Sequence, residues 1–193
     1  MKVIQLHNPD CNRDESELIK KAIKNNREAQ QVLFNGHAPR MLSVCRYYIK
    51  DMQHAEEAML NGFFKVFLNL KKFKNQGSFE GWIRRIMIRE SISFLRQKKK
   101  LEFPVDVIEY ESNSANNIES NIEVAQIQQL IDALPDGYKV VFIMYAIEGY
   151  KHYEIANILN ISEGTSKSQL FKARKLLQEK LKELNKKTSY GSK

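Results

Sequence analysis

A chain of 193 residues with a net charge of +8 and a pI near 9.4 has room for one or two domains with real cores, and its basicity suits a polyanionic partner. Two cysteines without a CxxC pair, Cys11 and Cys45, argue against a disulfide framework, a cysteine metal cluster or a redox motif. No apolar run approaches the roughly 20 residues of a membrane helix, and scarce Gly and Pro with almost no strand-like alternation make the chain all-α.

The charge is unevenly spread. From Phe63 to Lys100 there are eleven Lys or Arg and only Glu80 and Glu90 as acids; from Leu101 to Glu123 there are six acids and no Lys or Arg. From Lys167 to Lys187 eight basic residues stand against Glu179 and Glu183. Two basic blocks thus flank an acidic connector, an arrangement that a single evenly solvated globule does not need. No leader pattern opens the chain, so a reducing cytoplasm is the expected compartment. His7 and Cys11 are four apart, but Pro9 between them argues against a helical ligand pair, and no metal or cofactor is expected.

Residues 1–13 read as a loose tail. Leu18, Ile19, Ala22 and Ile23 recur at helical spacing, and Asn25-Asn26 breaks the pattern. A second helix through Ala29, Val32, Leu33 and Phe34 is expected to end near Gly36. Pro39 then fits the first turn of a third helix carrying Met41, Leu42, Val44, Cys45, Tyr48 and Ile49. Cys45 is most simply a core residue. Asp51–Phe73 carries an apolar stripe of Ala55, Met59, Phe63, Val66, Phe67 and Leu70. Its acids Glu56 and Glu57 lie near the N-terminus, and Lys71, Lys72 and Lys74 near the C-terminal end, as the helix dipole favours.

Ser78 is placed to cap a helix from Phe79 to Lys100. Trp82, Ile86, Ile88, Ile92, Phe94 and Leu95 supply its apolar contacts, and Arg84, Arg85, Arg89, Arg96 and the lysines at 98–100 a cationic side. Aromatics beside cations serve single-stranded nucleic acid, with charge for phosphates and flat faces for bases. Phe73, Phe79 and Trp82 also fit the core, and Trp82 fits it better than the other two. Leu101–Ser120, with Pro104 and the run SNSANN, reads as a flexible linker.

Beyond it, Val124, Ile127, Leu130, Ile131 and Leu134 form a helix that stops at Pro135, and Asp136–Ile147 forms another. Two further helices follow, joined by a short turn. Ile155, Ala156, Ile158 and Leu159 share a face of the first; Leu170, Ala173, Leu177 and Leu181 share a face of the second. Ala156 is small where the helices cross. Asn160 tolerates the left-handed conformation that ends the first, and Ser162 can cap the second. This is a helix-turn-helix spacing, with Glu163–Leu181 as the reading helix, and it equally fits a helical hairpin with a solvated basic face.

The spelling of these stretches is more specific than their spacing. Leu134-Pro135, EGY at 148–150, EIA at 154–156 and IS-x-GT at 161–165, then Lys167-Ser168 and Ala173-Arg174, resemble the C-terminal signature of the extracytoplasmic-function (ECF) sigma factors of the sigma-70 family. His37-Ala38-Pro39-Arg40 resembles that family's YAPR, Ala55–Phe67 its polymerase-binding helix, and Phe79–Leu95 its F-x-x-W-(I/L)-x-R-I segment. The resemblance spans Asp14–Leu184. It implies two small helical domains, region 2 at 14–100 and region 4 at 122–185, joined by an acidic linker at 101–121.

It also implies roles. Asp51, Glu56, Glu57, Asn61 and Phe64 would dock the polymerase clamp. Lys71, Lys72, Phe73, Phe79, Trp82, Arg84, Arg85, Arg89 and Arg96 would hold and open the −10 element, with a base captured by the 71–78 loop and the start of the Trp82 helix. Lys167, Ser168, Phe171 and Lys172 would meet −35 bases, and Thr165 and Arg174 phosphates. The implied partners are bacterial core RNA polymerase, through its clamp helices and flap, and promoter DNA; the class is often controlled by an anti-sigma factor, which adds a candidate partner. The chain departs from the family at Leu60-Asn61 (often Gln-Glu), Arg89 (often Asn), Lys151 (Ser), Ser166 (Val) and Gln169 (often Arg).

Two other readings compete. A conventional DNA-binding regulator would use 14–100 as a dimerisation or sensor domain, but such a domain has no use for the cations and aromatics of Phe63–Lys100. A helical nuclease would need clustered carboxylates, a His/Cys ligand set or a Gly-rich phosphate loop, none of which stands out, so no catalytic residue is expected.

Overall fold

The computed structural model describes residues 9–98, 103 and 124–190, and among them every regular element is helical. They form two compact units. The first holds α1 (Pro9–Ile23), most of α2 (Arg27–Tyr48), α3 (Met52–Asn69) with a single tight turn at Leu70–Lys72, and most of α4 (Phe79–Gln97). The second holds the last residues of α2 and α4 with α5 (Val124–Asp132), α6 (Asp136–Phe142), α7 (His152–Leu159) and α8 (Glu163–Tyr190). The linker expected at 101–121 lies outside the described residues apart from Phe103.

Three sequence expectations are corrected. The expected tail is already helical from Pro9, because a proline in the first turn gives up an N–H that has no partner there. The expected second and third helices are one, α2, running through Gly36 and Pro39. Leu33, Met41, Val44, Cys45 and Tyr48 keep one buried face across the junction. Pro39 and Asn35 are both exposed, so the hydrogen bond that proline deletes frees the Asn35 carbonyl to water rather than into the core. Finally, α8 continues nine residues past the expected Leu181, through a Lys-rich run without Gly or Pro.

Local chemistry sets the other boundaries. Asn25 adopts a left-handed φ of 63°, and the Asn26 side-chain oxygen accepts the Ala29 N–H at 2.8 Å, starting α2. Asp51 starts α3 by accepting the His54 N–H at 2.9 Å, and Ser78 starts α4 by accepting that of Gly81 at 3.1 Å. The buried face of α4 is Ile83, Met87, Ile88, Ser91, Ile92 and Leu95; Trp82 and Ile86 are only half-buried. Gly62 of α3 packs directly on the Met87 thioether, so a side chain there requires the flexible end of Met87 to shift. Burial pushes the Cys45 thiol up to about 11, consistent with an inert core residue.

In the second unit α5 ends just before Pro135. Past α6 the backbone widens into one π turn, Ile143–Ile147, with the Glu148 N–H donating to the Ile143 carbonyl at 3.0 Å. Val140, Val141, Ile143 and Met144 are buried, as are Ile155 and Leu159 of α7 and Leu170 and Ala173 of α8; α6 and α7 both pack on α8. Burying these side chains, at about 1.5–3 kcal/mol each, fixes the angle of α8.

Candidate nucleic-acid interface

The turn between α7 and α8 has the geometry its residues dictate. Asn160 is left-handed (φ 55°, ψ 51°), and the Asn160 and Ile161 N–H groups both donate to the Ala156 carbonyl, the latter at 3.1 Å. The Ser162 hydroxyl accepts the Thr165 N–H at 2.9 Å and lies 2.9 Å from the Thr165 hydroxyl. At the start of α7, Lys151 offers only donors from its side chain. The Glu154 carboxylate accepts the Lys151 backbone N–H at 2.8 Å, so half of a capping box survives without the serine.

Lys167 and Arg174 of α8 are exposed, while Phe171 and Lys172, like Thr165 at the turn, are half-buried. Lys167 lies 3.9 Å from Glu163. Lys172 sits 5.9 Å from the centre of the Tyr138 ring, and Arg174 5.6 Å from that of Tyr145. Ser168 is a correction. It is buried at 8% exposure and its hydroxyl donates to the Thr165 carbonyl at 2.9 Å, so it faces the protein rather than a base. Ser166 and Gln169, two of the departures from the family spelling, are wholly buried as well and alter the packing of α8 rather than its outer surface. Ser166 is 2.9 Å from His152 Nδ1, and the His152 ring stacks on Tyr145 at 4.6 Å. Burial, then Lys167, hold the His152 pKa below its ordinary value, while Glu163 opposes them.

The second basic surface surrounds the loop before α4. A cavity of about 250 Å³ is lined by Lys72, Phe73, Lys74, Gln76, Gly77, Ser78, Gly81, Trp82 and Arg85. Left-handed Asn75 (φ 55°) and Gly77 (φ 108°) fold the loop over it. Phe73, Phe79 and Trp82 form one aromatic cluster with centroid separations of 5.2–5.9 Å. Phe79 is a second correction: at 2% exposure it backs the cluster and cannot itself stack on a base. His37 meets Phe79 edge-on at 5.4 Å and holds Glu15 at 3.0 Å, and Arg40 pairs with Glu80 at 2.7 Å. The HAPR tetrapeptide therefore braces the cavity from behind.

Trp82, Arg85, Arg89 and Arg96 are spaced by three, four and seven residues, so they share one face of α4. The three arginines are exposed, but Arg96 belongs to the second unit and its guanidinium donates to the Ile158 carbonyl of α7 at 3.1 Å. Arg84 is half-buried and about 100° round the helix from Arg85, away from that stripe. Lys71 is exposed but does not line the cavity. Lys74 and Gln76, both within the 71–78 loop, line it as well.

A third surface lies on α3. Leu60, Phe64 and Leu68, 53%, 65% and 66% exposed, recur every fourth residue and form an unburied apolar stripe. Glu56, Glu57 and Asn61 are exposed on the same helix, while Asp51 is the cap of that helix. Leu60 and Leu68 were not expected; their exposure shows only once the opposite face is seen to be filled by Ala55, Met59, Phe63 and Val66.

Residues 33–101 match the family model of sigma-70 region 2, and residues 125–177 match that of sigma-70 region 4. Together these two parts of one family cover more than half of the chain, in the family's order. The chain belongs to the sigma-70 family, in its ECF class. It is 26% identical over 185 residues to the ECF RNA polymerase sigma factor SigW of Bacillus subtilis (strain 168), covering 86% of this sigma factor and 98% of that one. The RNA polymerase sigma factor SigV of the same strain is 28% identical over 132 residues, 68% of this chain and 78% of that protein. The ECF RNA polymerase sigma-E factor of Escherichia coli (strain K12) is 23% identical over 180 residues, covering 86% and 94%. Among solved structures, the sigma factor RpoE of Bartonella quintana, determined with the anti-sigma factor NepR, shares the fold with a TM-score of 0.53 at 18% identity, over 79% of this chain and 96% of that one. This sigma factor functions in transcription initiation. Among its described residues no helix is long and apolar enough to cross a membrane.

Proposed function

We propose that this sigma factor joins core RNA polymerase and selects promoters by gripping them at two places. Residues 14–100 act as region 2: the Leu60–Phe64–Leu68 stripe with Glu56, Glu57 and Asn61 docks the clamp helices, and the basic face of α4 holds the −10 strand. Residues 122–185 act as region 4: α8 enters the −35 major groove while the unit meets the flap. The segment 101–121 is the acidic linker between them. The protein works where the polymerase is, in the cytoplasm, and is not an enzyme; an anti-sigma factor is the natural class of inhibitor.

The observation that carries this reading is the joining of the 250 Å³ cavity to Trp82, Arg85 and Arg89 on one face of α4. The cavity is below the roughly 300–1,000 Å³ of sites for drug-sized ligands and suits a single ring system. A base leaving the duplex loses a few kcal/mol of stacking and pairing. Stacking on an aromatic returns about 1–3 kcal/mol per base, and Arg85 and Arg89 neutralise the phosphates that follow. Positioning and charge do the work, and no proton or group is transferred.

The test is the double substitution Arg85→Ala with Arg89→Ala in the holoenzyme. Binding to a −35 duplex should persist while permanganate reactivity of thymines at −10 falls. Unchanged permanganate reactivity would remove α4 from strand opening.

A further inference from the structure

We propose that Tyr145 and Tyr138 are positioning residues for promoter binding, each holding one cation of α8 ready for a phosphate on a different strand, which moves Lys172 from the bases expected for it to the backbone. The inference rests on the reading of α8 as the −35 helix. Lys172 and Arg174 are two residues apart, so they leave α8 about 200° apart and diverge to its two sides. A helix lying in the major groove has a phosphate wall on each side. Each cation already has an aromatic rest on its own side. Lys172 lies 5.9 Å from the centre of Tyr138, which α6 supplies, and Arg174 5.6 Å from that of Tyr145, which the π turn supplies.

The Tyr145 support is the more firmly built. Its ring stacks nearly parallel on His152 (4.6 Å, 24°), and His152 Nδ1 is 2.9 Å from the Ser166 hydroxyl of α8 itself. The widened turn at Ile143–Ile147 leaves Tyr145 36% exposed, where Arg174 can cover it. A guanidinium drawn to a ring by charge spends none of its N–H donors on it, so they can still take a phosphate. The tyrosine thus removes rotamer freedom from Arg174 before DNA arrives without occupying its donors.

The experiment uses the full chain bound to core polymerase and a duplex selected from a randomised pool by the unaltered holoenzyme. Tyr145→Leu should weaken binding about two- to fivefold, and Tyr145→Phe, which keeps the ring, should restore it. Arg174→Ala should weaken binding and lower the slope of log affinity against log salt by about one. In the Arg174→Ala background Tyr145→Leu should add nothing. Loss of the same factor in that background would overturn the inference, because the tyrosine would then act through the fold. So would no effect of Tyr145→Leu while Arg174→Ala still weakens binding. If Arg174→Ala changes neither affinity nor slope, Arg174 meets no phosphate and the inference falls; the −35 assignment of α8 falls only if Lys167→Ala with Lys172→Ala leaves both unchanged as well.

Discussion

Phe79 and Trp82 lie nearly parallel, 20° between planes and 5.9 Å between ring centres, with Phe79 sealed in the core and Trp82 half-exposed above it. The pair separates support from contact within one aromatic cluster. Phe79→Ala removes a fully packed ring and should destabilise the first unit by about 3–5 kcal/mol. Urea unfolding followed by hydrogen exchange in α4 measures this. Trp82→Ala should cost less stability and still lower permanganate reactivity at −10. Equal destabilisation by the two substitutions would make Trp82 a core residue first.

Leu60 and Phe64 should matter to a partner and little to the fold. Their side chains are more than half exposed, so Leu60→Ser and Phe64→Ser should each shift stability by no more than about 0.5 kcal/mol. If Phe64 anchors the clamp contact, its loss should weaken binding to core polymerase by about 2 kcal/mol, near thirtyfold. Fluorescence titration of labelled protein with core enzyme reads this. Intact affinity in the double variant would move the docking surface off α3.

Lys151 leaves one side of a capping box empty. Lys151→Ser supplies an acceptor for the first turn of α7 while Glu154 keeps its bond to the backbone N–H. The second unit should gain about 1 kcal/mol, visible as slower exchange of α7 amides. No gain would show that water already satisfies that turn.

His152 makes the stability of the second unit depend on pH. Burial and the neighbouring Lys167 lower its pKa in the folded state, so the unfolded chain binds the proton more readily. Stability from this group is present above the unfolded value of about 6.5 and is lost as pH falls through the lower folded value. Thermal scans from about pH 7 down to pH 5 should show a decline that is smaller in His152→Gln. Identical declines would assign the titration to other groups.

What was legible in the sequence was what neighbouring residues decide among themselves. Asn160, Ser162 and Ala156 announce the helix-turn-helix because a left-handed stop, a hydroxyl cap and a small crossing residue act within a few positions. Ser78 was legible for the same reason. Pro39 misled because a proline signals a helix start only if its missing bond matters, and on the exposed face of α2 it does not. Phe79 and Ser168 misled because motif position says nothing about which way a side chain turns. That is set by packing between helices far apart in the chain. The support given by His37, Tyr138, Tyr145 and His152 has no local signal; it exists only once distant helices are brought together.

The most direct test combines purified protein with bacterial core RNA polymerase and scores transcription from a promoter library. The account predicts a stable complex and initiation at a distinct set of promoters, lost with Arg85→Ala and Arg89→Ala although the complex still forms. Failure to bind core polymerase, or transcripts no different from those of core enzyme alone, would contradict it.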